Sequence, residues 1–169
     1  MYKEIESFTP FLHENFESKN QLIIFARTQD KTKVEGVLAA TIIYVNLVDY
    51  IAQNLLDNLR KMISILGYKA CGAVFFYDPS EERKNISLGE LKRELCSYSF
   101  PDKDSFLNEL VEFNKVRNRI MHDLMNVNLK SNASRFDQDL ALISGKAESI
   151  LTKYNTITQG ITTIWEKIK

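Results

Sequence analysis

Apolar residues recur at alternating intervals of three and four over most of this chain, and this spacing constrains the fold more than any other feature. The longest apolar line covers residues 34–66, and a second covers residues 136–168. Because an α-helix turns by ~100° per residue, such spacing places apolar side chains on one face of a helix. Two shorter lines, within residues 10–26 and 106–127, carry the same pattern. The sequence therefore predicts an all-α protein.

Residues that start and stop helices divide these lines into four main helices. Thr9-Pro10 is typical of a helix N-terminus, because proline is favoured at the first helical position, and it predicts where the first helix starts. Gly67 is expected to end the long second helix. The spacing of Ser87 and Glu90 matches a capping box and predicts a short additional helix.

The connections between the predicted helices are short and polar. Consecutive helices joined in this way pack antiparallel, so the predicted fold is an antiparallel helical bundle of four main helices plus short helices. No linker separates a second unit, and residues 1–169 are expected to form a single domain. Residues 68–86 depart from the helical pattern, and the run 73–77 is compatible with either a strand-like edge or an apolar loop.

Charge and cysteine content exclude several classes of partner and environment. Lys plus Arg equals Asp plus Glu at 22 each, so any contact with nucleic acid must be local. Cys71 and Cys96 fit neither a metal-ligand spacing nor a disulfide framework, and no acidic or histidine cluster indicates a metal site. The N-terminal residues lack the apolar stretch of a signal peptide, and no run approaches the roughly 18 apolar residues of a membrane span. We therefore expect a cytoplasmic protein without membrane association, metal or cofactor.

Residues 117–122 are the one stretch of the sequence with the features of a chemical site. The apolar line of the helix predicted here passes from Phe113 to Ile120 through position 117, where Arg117 stands in place of leucine. A guanidinium on a core-facing line carries a desolvation penalty of several kcal/mol unless it is paired or hydrated. Arg117 therefore needs a partner, a cavity or a function.

A polar ridge runs beside this line at four-residue spacing and comprises Asn114, Asn118, His122 and Asn126. Asn118 and His122 are one turn apart, so the amide can orient the imidazole. Arg117 lies ~140° around the helix axis and ~7.5 Å along it from His122. One helix cannot close both groups around one phosphate. Two copies related by a two-fold axis can, since an isologous contact repeats the same patch.

The pattern Arg117-Asn118-x-x-x-His122 resembles the RNxxxH signature of HEPN domains, which occur in bacterial toxins, phage-defence proteins and RNA-guided RNases. The resemblance includes a segment like 86–91 before the motif and covers residues 30–165. It implies a HEPN-like all-α bundle that acts as a metal-independent endoribonuclease of a toxin or defence type. It also implies a homodimer with a composite Arg/His site, RNA as substrate, and a cognate antitoxin or nucleotidyltransferase-like protein as a further candidate partner.

The resemblance also assigns roles to individual residues. The candidate catalytic residues are Arg117, Asn118 and His122. The candidate substrate-binding residues are Asn114, Arg119 and Asn126. Imidazole and guanidinium groups can supply a base, an acid and charge stabilisation without a metal. Arg119 shares the phosphate-binding role in this interpretation, although its place on the helix favours solvent.

Each assignment has a structural alternative. Arg117 can form a buried ion pair with Asp49 or Asp57 of the long helix. His122 can be a core histidine with its hydrogen bonds satisfied, and Asp123 beside it is expected to be a surface charge. For the whole chain, the alternatives are a catalytically inert HEPN-like module that binds RNA or protein, and an unrelated structural bundle.

Overall fold

A computed structural model describes residues 8–11, 16–71, 87–126 and 133–168 of the chain. Within these ranges the secondary structure is helical, without a strand, and five helices follow in order. They are α1 (Phe16–Arg27), α2 (Val34–Cys71), α3 (Leu88–Leu95), α4 (Lys103–Asn126) and α5 (Ala133–Ile168). The predicted all-α class is confirmed, with α1, α2, α4 and α5 as the main helices and α3 as a short additional one.

Local capping and one tertiary contact position the starts of α3 and α4. Ser87 Oγ accepts a hydrogen bond from the Glu90 N–H at 3.3 Å, and the Glu90 carboxylate accepts one from the Ser87 N–H at 3.0 Å. The predicted capping box therefore starts α3. α4 begins after Asp102, whose carbonyl accepts from the Phe106 N–H at 3.0 Å. The Asp102 carboxylate lies 3.8 Å from Lys153 of α5, which holds the start of α4 against that helix.

Residues 8–11 lie across α2 and α5 and do not start the predicted first helix. Phe11 lies in a turn with a φ of 60°, and its N–H donates to Asn58 Oδ1 of α2 at 3.0 Å. Pro10 and Phe11 lie in this turn and α1 spans Phe16–Arg27, so the predicted helix start at Pro10 is wrong. The physical reason is tertiary, because contacts with α2 hold this segment in a conformation that the proline signal does not anticipate.

The long helix α2 also differs from its prediction at its C-terminal end. It continues through Gly67 to Cys71, so the predicted stop at Gly67 is wrong. An interior glycine costs a helix only about 1 kcal/mol, which the packing of the preceding turns offsets. The predicted strand-like edge or apolar loop at residues 73–77 lies outside the described residues.

Polar contacts between helices give their relative directions. α4 and α5 run antiparallel, as their paired residues Ser105–Lys153 (2.7 Å), Glu109–Lys146 (3.0 Å) and Arg119–Asp139 show. α2 and α5 run in the same direction, as the pairs Tyr44–Ser144 (2.9 Å) and Asn54–Tyr154 (2.5 Å) show. Direction therefore alternates from α2 to α4 to α5, as predicted for a bundle, and α5 packs most extensively against α2 and α4.

The buried apolar side chains form one cluster to which all five helices contribute. Representative members are Ile23, Val48, Ile51, Leu55, Leu91, Phe106, Phe113, Ile150, Tyr154 and Trp165. Burial of each large apolar side chain contributes about 1.5–3 kcal/mol relative to exposure, so this cluster is the main source of stability. One side of α4 faces this core, and the opposite side of the helix is exposed.

α2 requires a correction to the expectation that no segment qualifies as a membrane span. Among the described residues, the part of this helix from Val34 to Ala70 is long and apolar enough to cross a membrane by length and composition. Of its most apolar window, 44% is buried inside the protein. The core helix of a soluble protein meets the same criterion, and α2 supplies core residues such as Ile51 and Leu55.

Candidate functional site

α4 carries every residue of the predicted site, but the structure turns a different residue of this helix towards the core than the sequence predicted. Phe113, Val116 and Ile120 are all buried in the core. Arg117 lies beside this line, at intermediate exposure. The expectation that Arg117 replaces a core leucine is therefore wrong. The spacings 113–116–120 and 113–117–120 both fit a helix, but only the first places an apolar residue, Val116, in the core.

Arg117 lies on the side of α4 that faces α2. Its Nη1 donates a long hydrogen bond to Asn114 Oδ1, one turn earlier, at 3.4 Å. Its charge acts on Asp49 of α2. Burial raises the pKa of the Asp49 carboxyl above its ordinary value, and the Arg117 charge offsets only part of that rise. Asp49 Oδ1 is buried and has no hydrogen-bond partner among the described residues.

The contacts of Asp49 and Asp57 bear on the alternative in which Arg117 forms a buried ion pair. Asp49 is the carboxylate whose ionisation Arg117 influences. Asp57, two turns later, accepts a hydrogen bond from Gln53 Nε2 at 2.7 Å. Among the described residues Arg117 therefore acts on Asp49 only through its charge, and the buried ion pair of this alternative is not formed. The interaction is one of charge, with no direct hydrogen bond between the two groups in the described part of the chain.

His122 lies on the outer surface of α4. Its side chain is 74% exposed, so the alternative of a core histidine is wrong. Its Nδ1 lies 3.6 Å from Asp123 Oδ1, and Asp123 is buried, contrary to the expected surface position. This distance is longer than a hydrogen bond, so the carboxylate lies near the imidazole without fixing its orientation. Asn118, one turn earlier, is exposed on the same face.

Arg119 forms an ion pair across the contact between α4 and α5. Its Nη2 donates to Asp139 Oδ1 of α5. The Asp139 side chain is 8% exposed and the Arg119 side chain is 43% exposed, so the pair joins a buried carboxylate to a surface guanidinium. The expectation that Arg119 simply faces solvent is therefore only half right, because the guanidinium reaches the surface while it is bound to α5.

The structure brings some of the predicted site residues together and separates others. Asn118, Arg119 and His122 share the exposed side of α4, whereas Arg117 and Asn114 lie towards α2. Arg117 and His122 of one chain therefore lie on different sides of the helix, as the helical geometry requires. Asn126 ends α4, and its side chain lies outside the described residues.

The burial of two carboxylates of this site was not anticipated from the sequence, since Asp123 was expected at the surface and Asp139 was not singled out. Asp123 follows the core residue Ile120 by three positions, and Asp139 precedes the core residue Ile143 by four. Both therefore stand on the apolar lines of their helices, and both are buried. A charged residue on such a line is the signal that singled out Arg117, and it would have identified these two residues as well.

Within residues 8–11, 16–71, 87–126 and 133–168, no group of three or more His, Cys, Asp or Glu side chains is arranged to hold a metal ion. The chemistry that the described site offers is therefore that of one imidazole, two guanidiniums, two amides and three carboxylates. Comparisons of the chain with family models, with curated proteins and with solved structures find no match.

Proposed function

We propose that this protein is a metal-independent endoribonuclease of a toxin or defence type, which acts in the cytoplasm as a homodimer. The observation that carries the proposal is the exposure of His122, whose imidazole is 74% exposed and lies 3.6 Å from the Asp123 carboxylate. A histidine with this environment, within the pattern Arg117-Asn118-x-x-x-His122, suits general acid–base chemistry. The HEPN-like assignment rests on that pattern and on the helical bundle.

The chemistry follows from the groups on α4. Nε2 of His122 takes the proton from a ribose 2′-hydroxyl, and the 2′-oxygen forms a bond to the adjacent phosphorus. The bond from phosphorus to the 5′-oxygen breaks, and the leaving oxygen takes a proton from a second, protonated imidazole. Guanidinium groups stabilise the charge that develops on the phosphate oxygens. The products are a 2′,3′-cyclic phosphate and a 5′-hydroxyl.

A homodimer supplies the groups that one chain lacks at one phosphate. Arg117 lies ~140° around α4 and ~7.5 Å along it from His122 of the same chain. A two-fold axis beside α4 places Arg117 of one protomer near His122 of its partner and brings the second imidazole to the same cleft. A cognate antitoxin or a nucleotidyltransferase-like protein that covers this face would silence the site.

The second candidate function is a catalytically inert module that binds RNA or protein. A specific observation favours it, because both arginines of the stretch already interact with a carboxylate. Arg117 acts on Asp49, and Arg119 pairs with Asp139. These carboxylates reduce the positive potential that a polyanion meets. In this case the motif residues contribute to binding without turnover.

Cleavage of a mixed single-stranded RNA in excess chelator tests the proposal. We expect 2′,3′-cyclic phosphate ends, and no cleavage of a substrate with deoxyribose at the scissile nucleotide. His122→Ala should lower kcat by about 10²–10⁴-fold, the usual contribution of a general acid or base. Arg117→Ala should lower it by roughly 10²–10³-fold, as expected for a group that stabilises developing charge. Asn118→Ala should have a smaller effect, because it removes an orienting hydrogen bond and no charge.

Lys115→Ala is the matched control, since it removes an exposed cation from α4 outside the motif. It should leave cleavage unchanged while helicity is retained in all variants. If the pure wild-type protein cuts no RNA, or if His122→Ala cuts as well as wild type, the enzyme proposal is wrong. RNA binding without cleavage would then favour the inert module.

A further inference from the structure

Arg119 is better placed than Arg117 to act with His122 of the same chain. The two residues are three positions apart on α4, which corresponds to ~60° around the axis and ~4.5 Å along it. Side chains at this spacing are neighbours on a helix surface. Both are exposed, the Arg119 side chain by 43% and that of His122 by 74%. Arg117 lies further around the helix, on the side of Asp49.

The position of the Arg119 guanidinium is set from another helix. Its Nη2 donates to Oδ1 of Asp139, which belongs to α5 and has a side chain only 8% exposed. Oδ2 of Asp139 is buried without a hydrogen-bond partner among the described residues. A buried carboxylate requires a charge partner, so Asp139 holds the guanidinium at the α4–α5 contact. A guanidinium carries five N–H donors, and the edge turned away from Asp139 can bind an anion.

We propose that Asp139 is a positioning residue that aims Arg119 at the phosphate on which His122 acts, so that one chain contributes both a cation and an imidazole to each scissile phosphate. The proposal rests on the proposed function, since it names the groups that bind the substrate of that site. It adds Asp139 of α5 to the residues that the motif indicates. In a dimer, Arg117 of the partner protomer then contributes the second cation.

A comparison with a neighbouring ion pair shows what distinguishes this one. Lys146 and Glu109 also join α5 to α4, at 3.0 Å, and their side chains are exposed to similar extents, 28% and 22%. In the pair of Arg119 and Asp139 the carboxylate is buried and the cation is at the surface. The pair of Arg119 and Asp139 orients a cation outward, whereas the pair of Lys146 and Glu109 joins the two helices at a point away from the motif.

Kinetics of Asp139→Asn and Glu109→Gln, each with the single-stranded RNA substrate, test the proposal. Both variants remove one carboxylate from an α4–α5 ion pair, so they control for the loss of helix packing. We expect Asp139→Asn to lower kcat by about tenfold to a hundredfold, the usual cost of a misplaced catalytic group, and Glu109→Gln to keep the wild-type kcat. Arg119→Lys should match Asp139→Asn, because it retains the charge and loses the forked donors.

A purely electrostatic role of Asp139 predicts a different result for Asp139→Asn. Removal of a negative charge strengthens attraction for RNA, so a purely electrostatic role lowers KM and leaves kcat unchanged. A purely structural role lowers the melting temperature and leaves kcat unchanged well below melting. Either result, in a wild-type protein that cuts RNA, overturns the positioning role while the proposed function stands.

Binding of a 2′-O-methyl single-stranded RNA, which lacks the nucleophile, separates the inference from catalysis. Arg119→Gln should weaken binding and lower the slope of log affinity against log salt by roughly 0.7, the value for one phosphate contact to a single strand. Asp139→Asn should keep that slope. If wild type cuts no RNA but binds this probe with these two slopes, the proposed function fails and Arg119 remains a phosphate contact. An unchanged slope for Arg119→Gln overturns the inference.

Discussion

Asp49 is the residue at which burial and charge act against each other near the candidate site. Burial disfavours its ionised form, while the charge of Arg117 favours it, and burial is the larger effect. One carboxylate oxygen is buried without a hydrogen-bond partner among the described residues. An unsatisfied buried oxygen is a cost to stability, so Asp49 is a residue where stability and the requirements of the site oppose each other.

The Asp49→Asn variant should therefore be more stable than wild type at neutral pH. Because the pKa of Asp49 is raised in the folded state, the folded protein holds this proton more tightly than the unfolded chain does. The free energy of unfolding then falls as pH rises from the ordinary value of 3.8 through the raised pKa. The penalty is complete above that window and absent below it.

Urea unfolding at neutral and at acidic pH measures this effect. The gain from Asp49→Asn should reach up to about 1 kcal/mol at neutral pH, the usual size of a single-site change, and should disappear below pH 3.8. Glu166→Gln, which changes an exposed carboxylate of α5, should alter stability little at either pH. A gain for Asp49→Asn that is the same at both pH values would contradict the assigned cause.

At the scale of the helix, the orientation of α4 depends on which of two adjacent residues, Val116 or Arg117, faces the core. Val116 is buried and Arg117 is beside the core, although the sequence is compatible with either residue on the core line. The whole polar face depends on this choice, because a rotation by one residue is ~100° around the axis. With Val116 inside, Asn118 and His122 face outward and Arg117 faces α2.

Substitutions at these two positions test the register of α4 directly. Val116→Asp should lower the free energy of unfolding by several kcal/mol, because it buries an unpaired charge in the core. Arg117→Ala should change stability by no more than about 1 kcal/mol, since its side chain lies beside the core. Thermal unfolding followed by far-UV circular dichroism measures both. A larger loss for Arg117→Ala than for Val116→Asp would mean that the helix is rotated.

At the scale of the whole molecule, α4 has one side in the bundle and one side open. Side chains of α5 pair with α4 along the length of α4. Lys153 pairs near the start of α4, and Asp139 pairs near the motif. Met121, one residue before His122, is 38% exposed on this helix. A two-fold contact through the open side would cover part of this apolar surface and bring two copies of the motif together.

The predicted homodimer is tested by sedimentation, which should give twice the chain mass. Met121→Lys should shift the protein towards the monomer, because an isologous contact places the introduced charge on both surfaces that meet. Cleavage of RNA should fall with the dimer fraction. The control is Ile63→Lys, at an exposed apolar position of α2, which should leave the dimer intact. A monomer at all concentrations, or a Met121→Lys protein that stays dimeric, would rule out a contact through this side.

Much of the fold could be predicted because its signals are local. The three–four spacing depends only on neighbours within a few turns, and it identified all four main helices. The capping box at Ser87 and Glu90 is equally local, and it placed the start of α3 correctly. The predicted start of the first helix was wrong because it is not decided locally. The contact of Phe11 with Asn58, far along the chain, overrides the proline signal.

The candidate site shows the same division between local and tertiary determinants. The sequence by itself determined that α4 carries two arginines, the asparagines of the polar ridge and a histidine, at spacings that put Asn118 and His122 on one ridge. Only the tertiary structure decided that Val116 is the core residue and that Asp49 and Asp139 act on the two arginines. Helical spacing is set by backbone geometry within one segment, whereas a buried carboxylate is placed by whichever helix packs against it, and that packing depends on the whole chain.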